Sequence, residues 1–179
     1  MTTSPWRIAE SIPLSAIRLA LGGLFLWAGF LKAADPQAFA FAIKGYGLLE
    51  GAGAGHVIRL MAYTIPWAEI ICGLLIVSGA WTRGAAMFLA IQLGLFTVAN
   101  ALVLEKEIKC SCFGDSDPFC GDAAIGWCHI IRNSSMLAAA LLLAWRGAGI
   151  WSVDRAMSRM SARAAEARAR ELENDPEGL

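Results

Sequence analysis

Charge is scarce and balanced in this chain: 17% of its 179 residues are charged, 15 basic against 15 acidic, for a formal net charge of zero. Such a balance offers no strong field to draw in a polyanion. The C-terminal arginines are interleaved with Glu166, Glu171 and Glu173, so nothing points to nucleic acid. No succession of alternating ten-residue segments is present, which removes a membrane β-barrel. The GAGAG run at 51–55 follows no strand and lacks the downstream context of a dinucleotide fingerprint, so it is no phosphate loop. Haem-binding and flavin-binding signatures are missing as well.

What is present is apolar surface. The chain is 57% hydrophobic, with a mean hydropathy of +0.54. A spanning helix needs roughly 20 mostly apolar residues, and four stretches qualify: Ile12 to Leu31, Ala62 to Ala80, Gly84 to Leu104 and Ala123 to Trp145. The expected fold is an all-α, polytopic four-helix transmembrane bundle. Residues 1–11 form a leader in which Arg7 balances Glu10, and the first apolar run is long for a signal core, so it reads as a retained helix. Pro66 falls in the first turns of the second stretch, where neighbours can satisfy the freed carbonyl.

Orientation follows from the Lys and Arg of the short loops. With both termini inside, Arg7, Arg83, Arg146, Arg155, Arg159, Arg163, Arg168 and Arg170 are cytoplasmic, against Lys32, Lys44, Arg59, Lys106 and Lys109 outside. Eight against five favours cytoplasmic termini, a bacterial inner-membrane location, and an exterior or periplasmic face for the loop at 105–122. In the first external loop a short surface helix is expected around Pro36 to Lys44, followed by a glycine-rich return. Val153, Ala156, Met157, Met160, Ala164 and Ala167 recur at helical spacing, so the tail at 146–179 reads as an amphipathic helix on the inner surface or a solvated one that fixes topology.

Charges within spans are costly and face partners. Glu69 lies seven residues past Ala62, roughly 10 Å down at 1.5 Å per residue, and Arg132 nine past Ala123, roughly 13 Å down. These depths predict an ion pair, with Asn133 adding a hydrogen bond. The pair either fixes helix packing or also polarises or protonates a bound quinone. Arg18 falls on the inner half near the level of Gln92, or snorkels to the inner surface.

Four cysteines, Cys110, Cys112, Cys120 and Cys128, crowd into KCSCFGDSDPFCGDAAIGWC between the third and fourth spans. A zinc site favours pairs separated by two to four residues, whereas the gaps here hold one, seven and seven. That leaves static disulfides, which persist in exported loops, or a redox-active set. The Cα atoms of Cys110 and Cys112 are at most about 7 Å apart, within bonding range but in a small, strained ring of the kind that exchanges readily. Cys120 and Cys128 are at hand to resolve or relay, and three complete pairings of four cysteines remain open. Cys128 lies in the first turns of the fourth span beside His129, which favours a neighbouring thiolate when protonated or is an interfacial polar residue. Cys72, in mid-span, reads as a small hydrophobe.

The order RLALGGLFLWAGFLKAADP, IPWAEIICGLLIVSG, CSCFGD and WCHIIRNSSML resembles the MauE-like branch of the DoxX superfamily over most of residues 14–145. The resemblance implies a four-helix membrane protein associated with thiol-disulfide chemistry and partnered by a periplasmic thioredoxin-like protein. The family's CxCFG pattern maps onto Cys110, Cys112, Phe113 and Gly114, its RN pair onto Arg132 and Asn133, and its PWxE onto Pro66, Trp67 and Glu69. Ser111 stands where glycine is expected, and Cys120, Cys128 and the arginine-rich tail lie outside the pattern. The leading expectation is therefore a redox protein that exchanges electrons between periplasmic thiols and the membrane. Its rivals are an assembly factor whose loop is locked by permanent disulfides and a quinone-binding subunit of a larger oxidase.

Overall fold

A computed structural model describes residues 5–104, 108, 119–121, 124–147 and 152–174. Among them the chain forms α1 (Pro5–Ala34), α2 (Pro36–Gly45), α3 (Ala54–Ser78), α4 (Thr82–Leu102), α5 (Trp127–Arg146) and α6 (Val153–Asn174), with no strand. Four of these carry segments long and apolar enough to cross a membrane: Ile12–Ala34, Ala54–Ser78, Thr82–Leu102 and Trp127–Arg146. Only about a third of each span's most apolar window is buried. Phe30, Leu74, Ile91, Leu95 and Ile131 all point outward. A soluble protein rarely exposes so much contiguous apolar surface, whereas lipid is its natural solvent.

The spans are antiparallel neighbours. One end of the bundle gathers α2, the start of α3 and the connection between α4 and α5; the other holds the α3–α4 turn and the start of α6. Lipid tails are as apolar as leucine, so helices in a bilayer associate by close packing, which small residues permit. α1 meets α3 in this way. A Cβ added at Gly22 would lie 3.1 Å from the Gly73 carbonyl oxygen, and one at Gly73 would lie 3.0 Å from that of Gly22. At Gly29 it would meet the Pro66 oxygen at 2.9 Å. Leu21, Phe25, Cys72, Ile76, Leu89, Leu93, Met136 and Leu143 fill the common core from all four spans. Cys72 is a buried free thiol there, in keeping with a packing role.

Gly73→Leu should therefore force α1 and α3 apart and cost about 1–3 kcal/mol, whereas Gly23→Leu, where an added Cβ meets nothing within 4 Å, should leave stability unchanged. Denaturation of the purified chain in mixed micelles measures both.

Helix ends are set locally. Asp35 caps α2 by accepting the Ala38 N–H at 2.9 Å, with Pro36 opening the helix. This stop and restart, one residue apart, carries α1 through to Ala34 rather than ending it at Leu31. At the opposite end Gly79 closes α3 at φ 73° and Trp81 opens α4 at φ 48°. Asp154 clasps that turn: its side chain accepts the Trp81 N–H at 2.9 Å, and its own N–H donates to the Gly79 carbonyl at 3.2 Å. Arg18 packs there too, with Nη1 2.6 Å from where a Gly79 Cβ would lie, so it reaches toward the end of the bundle and not toward Gln92. α3 begins at Ala54, eight residues before the expected start, and Pro66 is consequently mid-helix.

Candidate functional site

Two features converge at the α2 end of the bundle. The first is a cystine. Cys120 and Cys128 are joined by a disulfide with Cα atoms 5.9 Å apart, tying the loop to the second residue of α5. Closing so short a loop removes chain entropy worth about 2–3 kcal/mol from the unfolded state. Below it, Tyr46, Val103 and Ile125 form a small buried core with Ala99 and Ile108 packed against it. The Ile125 N–H donates to the Ile108 carbonyl at 2.8 Å, so the two ends of the connection are pinned together. Cys110 and Cys112 lie outside the described residues.

His129 follows Cys128 in sequence but faces the other way. Cys128 is exposed, while His129 is only 1% exposed. Its Nδ1 accepts the Gly126 N–H at 3.3 Å, which closes a capping box at the start of α5. In this geometry His129 is a helix cap turned into the bundle, while Cys128 beside it is exposed.

The second feature is a buried charge cluster. Lys32 Nζ lies 2.7 Å from both Glu69 carboxylate oxygens, and Gln92 Nε2 donates to Oε1 at 2.6 Å. Lys32, Glu69 and Gln92 are 6%, 1% and 9% exposed. Phe39 and Phe96 flank the ammonium, with ring centroids at 5.4 and 5.8 Å, a distance at which each ring face attracts a cation.

The expected partner of Glu69 was Arg132, and this is corrected: the carboxylate is held by Lys32 and Gln92. Two boundaries explain the change. Lys32 belongs to α1, not to a loop, and the close α1–α3 approach at Gly29 brings its long stem alongside Glu69. Arg132 instead donates from Nε and Nη2 to Asn133 Oδ1 at 3.2 and 3.1 Å. Asn133 nevertheless shares a cavity with Lys32, Glu69 and Gln92, closed by Phe25, Phe96 and Met136. At about 30 Å³, the cavity has room for about one water and no organic ring. Glu69, Asn133 and, through Asn133, Arg132 thus assemble at one place, His129 serves the helix end, and Lys32 is the member that sequence reasoning missed. Its signal was the Asp35-Pro36 cap, which leaves no room for a loop before residue 35.

A bundle of four apolar helices with a cystine at one end defines a polytopic membrane protein that carries a disulfide. Within that class the chain belongs to the methylamine utilisation protein MauE family, whose model matches residues 10–146. It is also 34% identical over 155 residues to an uncharacterized membrane protein of Mycobacterium tuberculosis, covering 84% of this chain and 85% of the relative. No solved structure matches it.

Proposed function

We propose that this chain is an inner-membrane thiol-disulfide protein that passes electrons between the thiols of a thioredoxin-like partner outside the membrane and a quinone within it. The observation that carries the reading is the Cys120–Cys128 cystine at the rim of the bundle, in the same connection as Cys110 and Cys112. In the first step a partner dithiol attacks a loop disulfide; one S–S bond forms as another breaks, and two electrons and two protons enter the loop. In the second, the reduced pair returns them to the quinone, which leaves as quinol. The direction is set by the relative potentials of partner and quinone pool. The family description concerns methylamine utilisation, and the service this chemistry offers in such a setting is maturation of a disulfide-bearing exported protein.

The cysteine loop faces the exterior in this scheme, with both termini in the cytoplasm. Since Lys32, Arg59, Arg83 and Arg146 all fall inside spans, the loop cations reduce to Lys44, Lys106 and Lys109 on the outer side against Arg7, Arg155, Arg159, Arg163, Arg168 and Arg170 on the inner, an asymmetry that supports that orientation. A second reading has its own support: a cystine fastened to a helix N-terminus also serves as a permanent brace, as a non-catalytic assembly factor requires.

Trapping free thiols in intact cells with a membrane-impermeant maleimide, then counting mass additions, separates the two. A working redox loop shows mixed thiol states that shift with quinone supply and react from outside. Four cysteines that stay oxidised through mild reductant would sink the redox reading.

A further inference from the structure

We infer that the apolar pocket between α2 and α4 is the seat of a membrane quinone's head ring, an assignment that rests on the thiol-disulfide reading above. The pocket, about 220 Å³, is walled by Phe39, Ile43 and Tyr46 from α2 and its cap, Met61 from α3, and Phe96 and Ala99 from α4. Its walls are apolar and aromatic, the lining that flat organic rings favour. Leu48 and Leu49 on its rim are 46% and 37% exposed, so a ring carried on an isoprenoid chain can seat here and leave the chain in lipid.

Three connections set this pocket apart from an ordinary packing gap. Tyr46 is shared: it lines the pocket and belongs to the small core with Val103 and Ile125, three residues before Cys128. The pocket and the cystine segment therefore meet at one side chain. Next, the Tyr46 hydroxyl donates to Asn100 Oδ1 at 2.8 Å. Asn100 is fully buried, and its Nδ2 makes no hydrogen bond among the described residues. A buried donor left unmade is costly, and a quinone carbonyl is an acceptor that brings no donor of its own. This amide does not itself line the pocket; it follows Ala99 in the chain and is bonded to Tyr46, both of which do.

Phe96 makes the third connection. It lines both this pocket and the cavity of Lys32, Glu69 and Gln92, so a single ring separates the quinone seat from a buried ammonium-carboxylate pair. The chemistry balances without a further reactant. Two thiols closing to a disulfide release two electrons and two protons, and a quinone becoming quinol takes up two of each. The Lys32–Glu69 pair lies on the far side of Phe96 from the ring.

The test uses the full chain in phosphatidylcholine nanodiscs, photolabelled with an arylazido decyl-benzoquinone and mapped by peptide mass spectrometry. Label should fall on the segments around Tyr46–Leu49 or Phe96–Ala99 and be displaced by unlabelled decyl-benzoquinone. Ala42→Phe and Ala99→Phe fill the pocket from opposite walls, and each should weaken specific labelling by roughly tenfold or more. An unchanged unfolding midpoint in mixed micelles reports that each variant has folded, and two variants guard against one that does not. Label centred on His129 or Arg132, label undiminished in both filled variants, or label that free quinone does not displace, as when a lipid tail occupies the space, would overturn the assignment. Pocket labelling in a chain whose cysteines never turn over in cells would keep this site and sink the redox reading instead.

Discussion

Replacing Cys110 and Cys112 together by serine should reduce exchange with a thioredoxin-like dithiol to background while the chain still inserts and its Cys120–Cys128 bond still forms. The reason is chemical: exchange needs a sulfur that attacks and a sulfur that leaves, and a hydroxyl does neither at neutral pH. The complementary variant, Cys120→Ser with Cys128→Ser, separates the roles. It removes the tie between loop and α5 and should cost about 2–3 kcal/mol of stability. If that pair relays electrons, its loss should also stop quinone reduction while the first exchange with the partner survives as a single turnover. If it is only a brace, quinone reduction should persist at temperatures below the lowered Tm. Stopped-flow thiol exchange and quinol absorbance measure the two steps independently, and full exchange in the Cys110/Cys112 variant would remove those residues from the mechanism.

The fold was legible because lipid imposes a simple rule on sequence, and four apolar runs satisfied it. The short helix expected around Pro36 to Lys44 is α2, and Cys128 stood at the head of the fourth span in both sequence and structure. Legibility failed where hydropathy drew a boundary that capping overrules. Lys32 lay one residue past an apolar run and was assigned to a loop, although the next cap is at Asp35. The segment after Gly53 was read as part of a glycine-rich return, yet it is helical from Ala54. An eight-residue error in a helix start is roughly 12 Å of depth, enough to match Glu69 with the wrong cation. Pairs such as Tyr46 and Asn100, 54 residues apart, leave no local signal at all. The pairing of Cys120 with Cys128 was one of several open choices, because connectivity depends on where the loop's ends are pinned.

The Lys32–Glu69 pair should behave as a buried ion pair in a double-mutant cycle, with opposite results for its halves and its whole. Lys32→Met leaves a carboxylate at 1% exposure facing only Gln92, and Glu69→Leu leaves an ammonium between two phenylalanine rings. Each single change strands a charge and should cost about 3–5 kcal/mol. The double variant removes both charges and should recover most of that loss. It still orphans the Gln92 amide, worth about 1–3 kcal/mol, so adding Gln92→Leu should bring stability close to that of the native chain. Unfolding in mixed detergent micelles follows the whole series, and singles that cost under about 1 kcal/mol would show that the charges are not held out of solvent as this geometry requires. Once the fully apolar variant is stable, its activity becomes informative. Native rates of quinone reduction would make the pair a packing device, which apolar residues can replace. A stable bundle that exchanges thiols but no longer reduces quinone would place the proton inventory of the reaction on the cluster of Lys32, Glu69 and Gln92 behind Phe96, because those three side chains are all that the variant has changed.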